Sequence, residues 1–181
     1  LLSCGKFDID TLFTLTSCKV PVVSPQQLML DAVLAGETKA FNAGIICDST
    51  YLASGIYPQL WHAAAARHNV VGTHCSAGAG SLYDFLDSYI EAGGSAPIDA
   101  FLVDDLTADI GFLEKQLAAI RDYSVEESMK YGRYVSADAT IVSSVRLTLA
   151  SCYSILRSGS LFTHKIAQPA YRRYTISPRP W

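Results

Sequence analysis

The chain predicts an all-α fold, a single helical domain with extended N- and C-terminal segments. Three observations carry that expectation. Ser24 and Ser124 each open a capping-box sequence ahead of an apolar stretch. Ile110, Leu113, Leu117 and Ile120 recur at helical spacing. The 181 residues are 50% apolar and 17% charged, enough to build one domain with a real core.

Each element follows from local signals. Residues 1–23 read as an extended segment ending in Cys18-Lys19-Val20-Pro21-Val22-Val23. Ser24 caps the first helix, Pro25 fits its first position and Gln27 completes the box. Leu28 to Ala35 continue it towards Gly36 or Gly44. A second helix is expected over 50–68, interrupted at Pro58, with Leu60, Trp61, Ala64 and Ala65 on its apolar face. A third covers 82–91 and stops at Ala92-Gly93-Gly94. Pro97-Ile98-Asp99 opens a fourth, which keeps its period to Tyr123. Ser124 starts a fifth, through Met129, Tyr131 and Tyr134. The last long helix runs from about Ala137 to Arg157, with Val142, Val145, Leu149, Tyr153 and Leu156 as its buried stripe, and Ser158-Gly159 ends it. The helical domain therefore spans 24–159, and 160–181 form an extended basic tail.

Bulk charge narrows the partners. A net charge of −3 gives no case for nucleic acid, and no apolar run approaches the roughly 20 residues of a membrane span. The middle of the chain is acidic. After Asp138 only bases follow, among them Arg146, Arg157, Arg172, Arg173 and Arg179. That polarity suits other subunits of a larger assembly, with the tail on an acidic partner. The chain starts at Leu1 and not at Met, as expected of a removed leader or of a fragment.

Five cysteines are present, an odd number that disulfides cannot exhaust. Zinc spacing is absent, and the four histidines are dispersed. Either the cysteines are small buried hydrophobes or some are covalent attachment points. Cys75 stands out, since it follows a short apolar run and precedes the small-residue stretch Ser76-Ala77-Gly78-Ala79-Gly80. His74 to Gly80 resembles the active-site loop of protein tyrosine phosphatases. That loop needs an arginine to clamp phosphate and hold the thiol ionised. Ser81 stands in its place, and no lysine or arginine occurs between Arg67 and Lys115. An active phosphatase is disfavoured on those grounds. An inactive relative using Cys75, or a helical interaction protein without cofactor, stays open.

Tyr89-Ile90-Glu91-Ala92-Gly93-Gly94-Ser95-Ala96-Pro97-Ile98-Asp99 resembles a segment of the phycobiliproteins. There a tyrosine-bearing helix ends in Ala-Gly-Gly, and Pro and Asp open the next. Cys75 precedes Ala92 by roughly four to five helical turns, similar to the family's bilin cysteine. Val135-Ser136-Ala137-Asp138-Ala139 looks like the start of the family's final helix. The likeness covers about 70–157 in patches. The family's arginine and aspartate just after the bilin cysteine are replaced here by Ala77 and Gly78.

The resemblance implies a globin-like helical fold and a non-enzymatic light-harvesting or linker subunit, such as a γ-type subunit of a phycoerythrin. It further implies a covalent bilin of phycoerythrobilin or phycourobilin type, and a chloroplast or thylakoid-associated phycobilisome. A bilin needs a thioether anchor, a carboxylate for its pyrrole nitrogens and a base for its propionates. Cys75 ranks first as anchor, then Cys47, Cys152 and Cys18. Asp48 beside Cys47 and Asp84 beyond Cys75 are candidate carboxylates. Arg157, near one turn past Cys152, is a propionate partner with Tyr153 as an aromatic wall.

Overall fold

The computed structural model describes residues 23–35, 41–122 and 126–159. In chain order it runs α1 (Pro25–Leu34), β1 (Phe41–Cys47), α2 (Ser49–Ser54), α3 (Ile56–His68) and β2 (Gly72–Ala77). Then come α4 (Leu82–Glu91), β3 (Ile98–Asp104), α5 (Ile110–Arg121), α6 (Glu126–Tyr131), a 3-10 turn (Gly132–Tyr134), β4 (Val135–Ser143) and α7 (Ser144–Ser158). The strands form one parallel sheet in the order β2-β1-β3-β4. The fold is therefore α/β, and the all-α expectation is overturned. So is the globin-like architecture that the family resemblance implied.

Local chemistry explains both the successes and the failure. Ser24 caps α1 by accepting from the Gln27 amide at 3.4 Å. Ser81 caps α4 in the same way, accepting from Asp84 N at 3.1 Å. α4 ends where expected, because Gly93 adopts φ +84° and the Gly93 and Gly94 amides close the last turn on Ile90 and Tyr89. The helix expected over 50–68 breaks at Gly55 and not at Pro58. Gly55 sits in the left-handed region at φ +62°, while Pro58 lies in the first turn of α3, where its missing N–H costs nothing.

Pro97-Ile98-Asp99 opens a strand instead of a helix, and 137–143 complete β4 before α7 begins. All seven residues of β1 are buried. A parallel strand covered on both faces reads as a continuous apolar run and gives no alternation to detect. The expected stripe of the last helix is also revised. Val142 lies in β4, and Leu149, Tyr153 and Leu156 are exposed. The residues α7 buries are Ser144 and Thr148. The capping box at Ser124, Cys18 and Cys4, the tail over 160–181 and nearly all of the N-terminal segment lie outside the described residues.

Helices cover both faces of the sheet. On one face, Met29, Leu30 and Leu34 of α1 and Tyr57, Trp61 and Ala64 of α3 pack on Ala43, Ile45, Ala100 and Leu102. α7 lies beside α1. On the other face, Leu82, Phe85 and Leu86 of α4 and Leu113, Leu117 and Ile120 of α5 pack on Ile46, Phe101 and Val103. Phe85 meets Phe101 edge-on at 5.8 Å. Gly44 permits this, since a Cβ there would stand 2.8 Å from the Phe85 ring. A register shift between Ile98↔Val135 and Ala100↔Thr140 turns Ile98 to the α4–α5 face while Ala100 keeps to the other. Among the described residues, no helix is long and apolar enough to cross a membrane.

Candidate functional site

The chain leaves β1 and β3 in opposite directions. After β1 it passes through α2 into α3 on one face. After β3 it enters α5 on the other. Between these diverging connections an open α/β sheet leaves a crevice at the carboxyl ends of its strands. A cavity of about 480 Å³ occupies that place. Its polar wall comes from Gln26, Asp48, Asp104, Asp105, Thr107 and Thr148, and its apolar wall includes Pro25, Tyr51, Leu106, Val145 and Leu149.

The position of each polar group follows from the strand or helix end that carries it. Asp104 is the last residue of β3 and is buried. Its Oδ2 accepts from the Tyr57 hydroxyl of α3 and, at 2.9 Å, from Gln26 Nε2 of α1. One carboxylate thus ties both helices of that face to the sheet. Burial and the adjacent carboxylate hold the Tyr57 hydroxyl firmly protonated. Asp48 caps α2, accepting from Thr50 N at 2.7 Å, and hydrogen bonding from Thr50 draws its carboxyl below the usual range. Asp105 folds its own loop, accepting from Thr107 N and Oγ1, each at 2.7 Å.

Among the described residues, two buried polar atoms of the wall find no partner: Gln26 Oε1 and Thr148 Oγ1. At the amino edge of the sheet a second cavity, lined in part by Asn42, Thr73 and Asp99, has its polar groups engaged with one another. Asn42 N donates to Asp99 at 2.8 Å, and Thr73 Oγ1 donates to Asn42 Oδ1 at 3.0 Å. Of these two cavities, the carboxyl-edge one keeps buried polar atoms without a partner among the described residues.

Of the residues singled out from sequence, Asp48 lines this cavity, and Cys47 lies directly before it, fully buried. Cys47 is pushed up to about 11 by burial first, then by Asp104, Asp48 and Asp105. Cys75 lies inside β2, not in a loop. Its Sγ donates to Ala43 O at 3.6 Å and packs against the core of the α4–α5 face. Burial pushes this thiol, too, up to about 11, so it stays protonated at neutral pH. Asp84 serves the first turn of α4, accepting from Ser81 Oγ at 2.7 Å. Asp87 pairs with Lys130 at 2.8 Å, joining α4 to α6. Cys152 is a half-buried free thiol on α7, and Arg157 is exposed in the last turn of that helix. Cys75, Asp84, Cys152 and Arg157 are thus spread over three elements, and none of them lines the cavity.

Gln26, Tyr57, Asp104, Asp105 and Thr148 escaped the reading of the sequence. For the two aspartates a signal existed: Asp104-Asp105 directly follow the apolar run Ala100-Phe101-Leu102-Val103. Carboxylates that close a buried strand mark the edge where such sheets bind ligands. Among the described residues, no group of three or more His, Cys, Asp or Glu is placed to hold a metal ion. No family model matches the chain, and no curated protein matches it.

Proposed function

We propose that this chain is a binding domain for a small organic molecule, held at the carboxyl edge of the sheet between β1 and β3. The observation that carries the reading is the cavity's position, in the crevice where the connections from β1 and β3 diverge to opposite faces. Its volume of about 480 Å³ suits a compact organic ligand. Mixed lining supports the same reading, because an apolar wall gives affinity and a few fixed polar groups give orientation.

Amide chemical-shift mapping with aromatic fragments of positive, neutral and negative charge tests it. Shifts should gather at Gln26, Asp48, Asp104 and Thr148. Shifts confined to other surfaces would overturn the assignment. Leu149→Arg, at an exposed position on the rim, should abolish the response without unfolding the chain.

A bilin thioether at Cys75 is a separate proposal that rests on the sequence spacing to Ala92-Gly93-Gly94 alone, since that stretch runs through β2 and a loop before α4 and not along one helix. Visible absorption that survives denaturation in acid urea tests it, and a colourless protein ends it. Assembly with other subunits through the basic tail is likewise proposed from charge polarity alone. Deletion of 160–181 should weaken it more at low salt than at high salt.

A further inference from the structure

The cavity wall is chemically one-sided. Asp48, Asp104 and Asp105 converge on it, and no lysine, arginine or histidine is among its described lining residues. Its unpartnered atoms point the same way. The Gln26 amide nitrogen is committed to Asp104, so the group left over is the acceptor Oε1, on a residue 2% exposed. Thr148, 7% exposed, keeps a hydroxyl with no partner among the described residues, a group able to accept as well as to donate. Unmatched buried acceptors are rare in a folded protein, and they ask for a donor. Carboxylates and acceptors together select donors that carry positive charge.

An inorganic cation does not fit this wall. Among the described residues no metal-holding group exists, and Pro25, Tyr51, Leu106, Val145 and Leu149 offer a divalent ion nothing. They do offer an apolar surface to a carbon skeleton.

We propose that the cavity takes a small organic cation, a primary or secondary ammonium on an aromatic or aliphatic body. The ammonium donates towards the Asp104 and Asp48 side and to Gln26 Oε1. The body lies against Leu106, Val145 and Leu149. Specificity comes from charge sign: a neutral donor can reach an acceptor but leaves the carboxylate charge uncompensated, and an anion faces three carboxylates. The inference rests on the cavity being a ligand site, and it adds the class of ligand.

Three probes of one shape separate the two ideas: phenethylamine, 2-phenylethanol and 3-phenylpropanoate, titrated into the full chain by calorimetry and amide chemical-shift mapping. Phenethylamine should bind about tenfold or more tighter than the alcohol, and the carboxylate should not bind. Asp105→Asn and Asp48→Asn should each weaken phenethylamine binding several-fold and leave the melting temperature unchanged, since asparagine still caps α2 and still turns the loop. Equal binding of amine and alcohol, or a preference for the carboxylate, overturns the cation assignment and leaves the cavity as a ligand site. If none of the three probes shifts the cavity amides, the ligand-site reading falls and takes the cation with it.

Discussion

Asp104 gathers hydrogen bonds from two helices onto the end of one strand, and Tyr57 is its most buried partner, 1% exposed. Tyr57→Phe removes one donor and leaves the carboxylate short of a partner in a buried site. Urea unfolding should show a loss of about 1–3 kcal/mol. Cys47 and Cys75 are the complementary case, acids whose ionisation burial opposes. Their folded values lie above the ordinary thiol value, so this contribution to stability is present at neutral pH and is lost as pH rises through about 9 towards 11. In native protein at about pH 8, iodoacetamide should leave both thiols largely unreacted, and unfolding should expose them to labelling; mass mapping reads the result, and a Cys75 that stays unlabelled after unfolding is the outcome a thioether there requires. Prompt labelling of native Cys75 would contradict its placement in β2. Asp48 is legible as a carboxylate next to the Cys47 thiol, whereas Asp104 is hidden, because Pro97-Ile98-Asp99 looks locally like a helix start and masks the strand that Asp104 closes.

The elements divide by how local their signals are. Caps are made by residues within a turn of each other, so Ser24 and the Ala92-Gly93-Gly94 stop are legible directly, while Ser81 caps α4 without having been singled out. The strands could not, because β1 and β3 owe their burial to helices far along the chain and carry no period of two. Cys75 suffered most: surrounded by small residues it looks like loop, yet it hydrogen-bonds within the sheet next to Gly44. Gly55 tests the helix break. Its φ of +62° is strained for any residue with a Cβ, although open space surrounds it. Gly55→Ala should therefore cost about 1–2 kcal/mol through backbone strain alone. A neutral result would place the break elsewhere.

For the molecule as a whole, α/β class replaces all-α, and the circular dichroism spectrum should show strand together with helix. Acid stability has an identifiable contributor in Asp31, which joins α1 to α3. Burial pulls its carboxyl upward, but hydrogen bonds from Arg67 at 2.7 Å and His68 at 2.9 Å outweigh this and hold it below the usual range. A depressed carboxyl stabilises the fold above its unfolded value and loses that contribution as pH falls through the lower folded value. Asp31→Asn should thus flatten the acid limb below about pH 4 while removing less than about 1 kcal/mol near neutrality, as befits a half-exposed pair.

The sheet order also dictates when a site can exist. Asn42 on β1 meets Thr73 on β2 across 31 residues, but meets Asp99 on β3 across 57. The β1–β2 pair closes the shorter loop, and the β1–β3 pair must wait for a longer and entropically costlier closure. The cavity needs the later pair, because Asp48 and Asp104 stand at the ends of β1 and β3. During synthesis, a chain released before β3 has emerged would hold half of the wall and no pocket. A ligand that engages both aspartates would then bind only the completed sheet and slow its opening, so hydrogen exchange at the β1–β3 ladder should respond to ligand more than exchange at β1–β2.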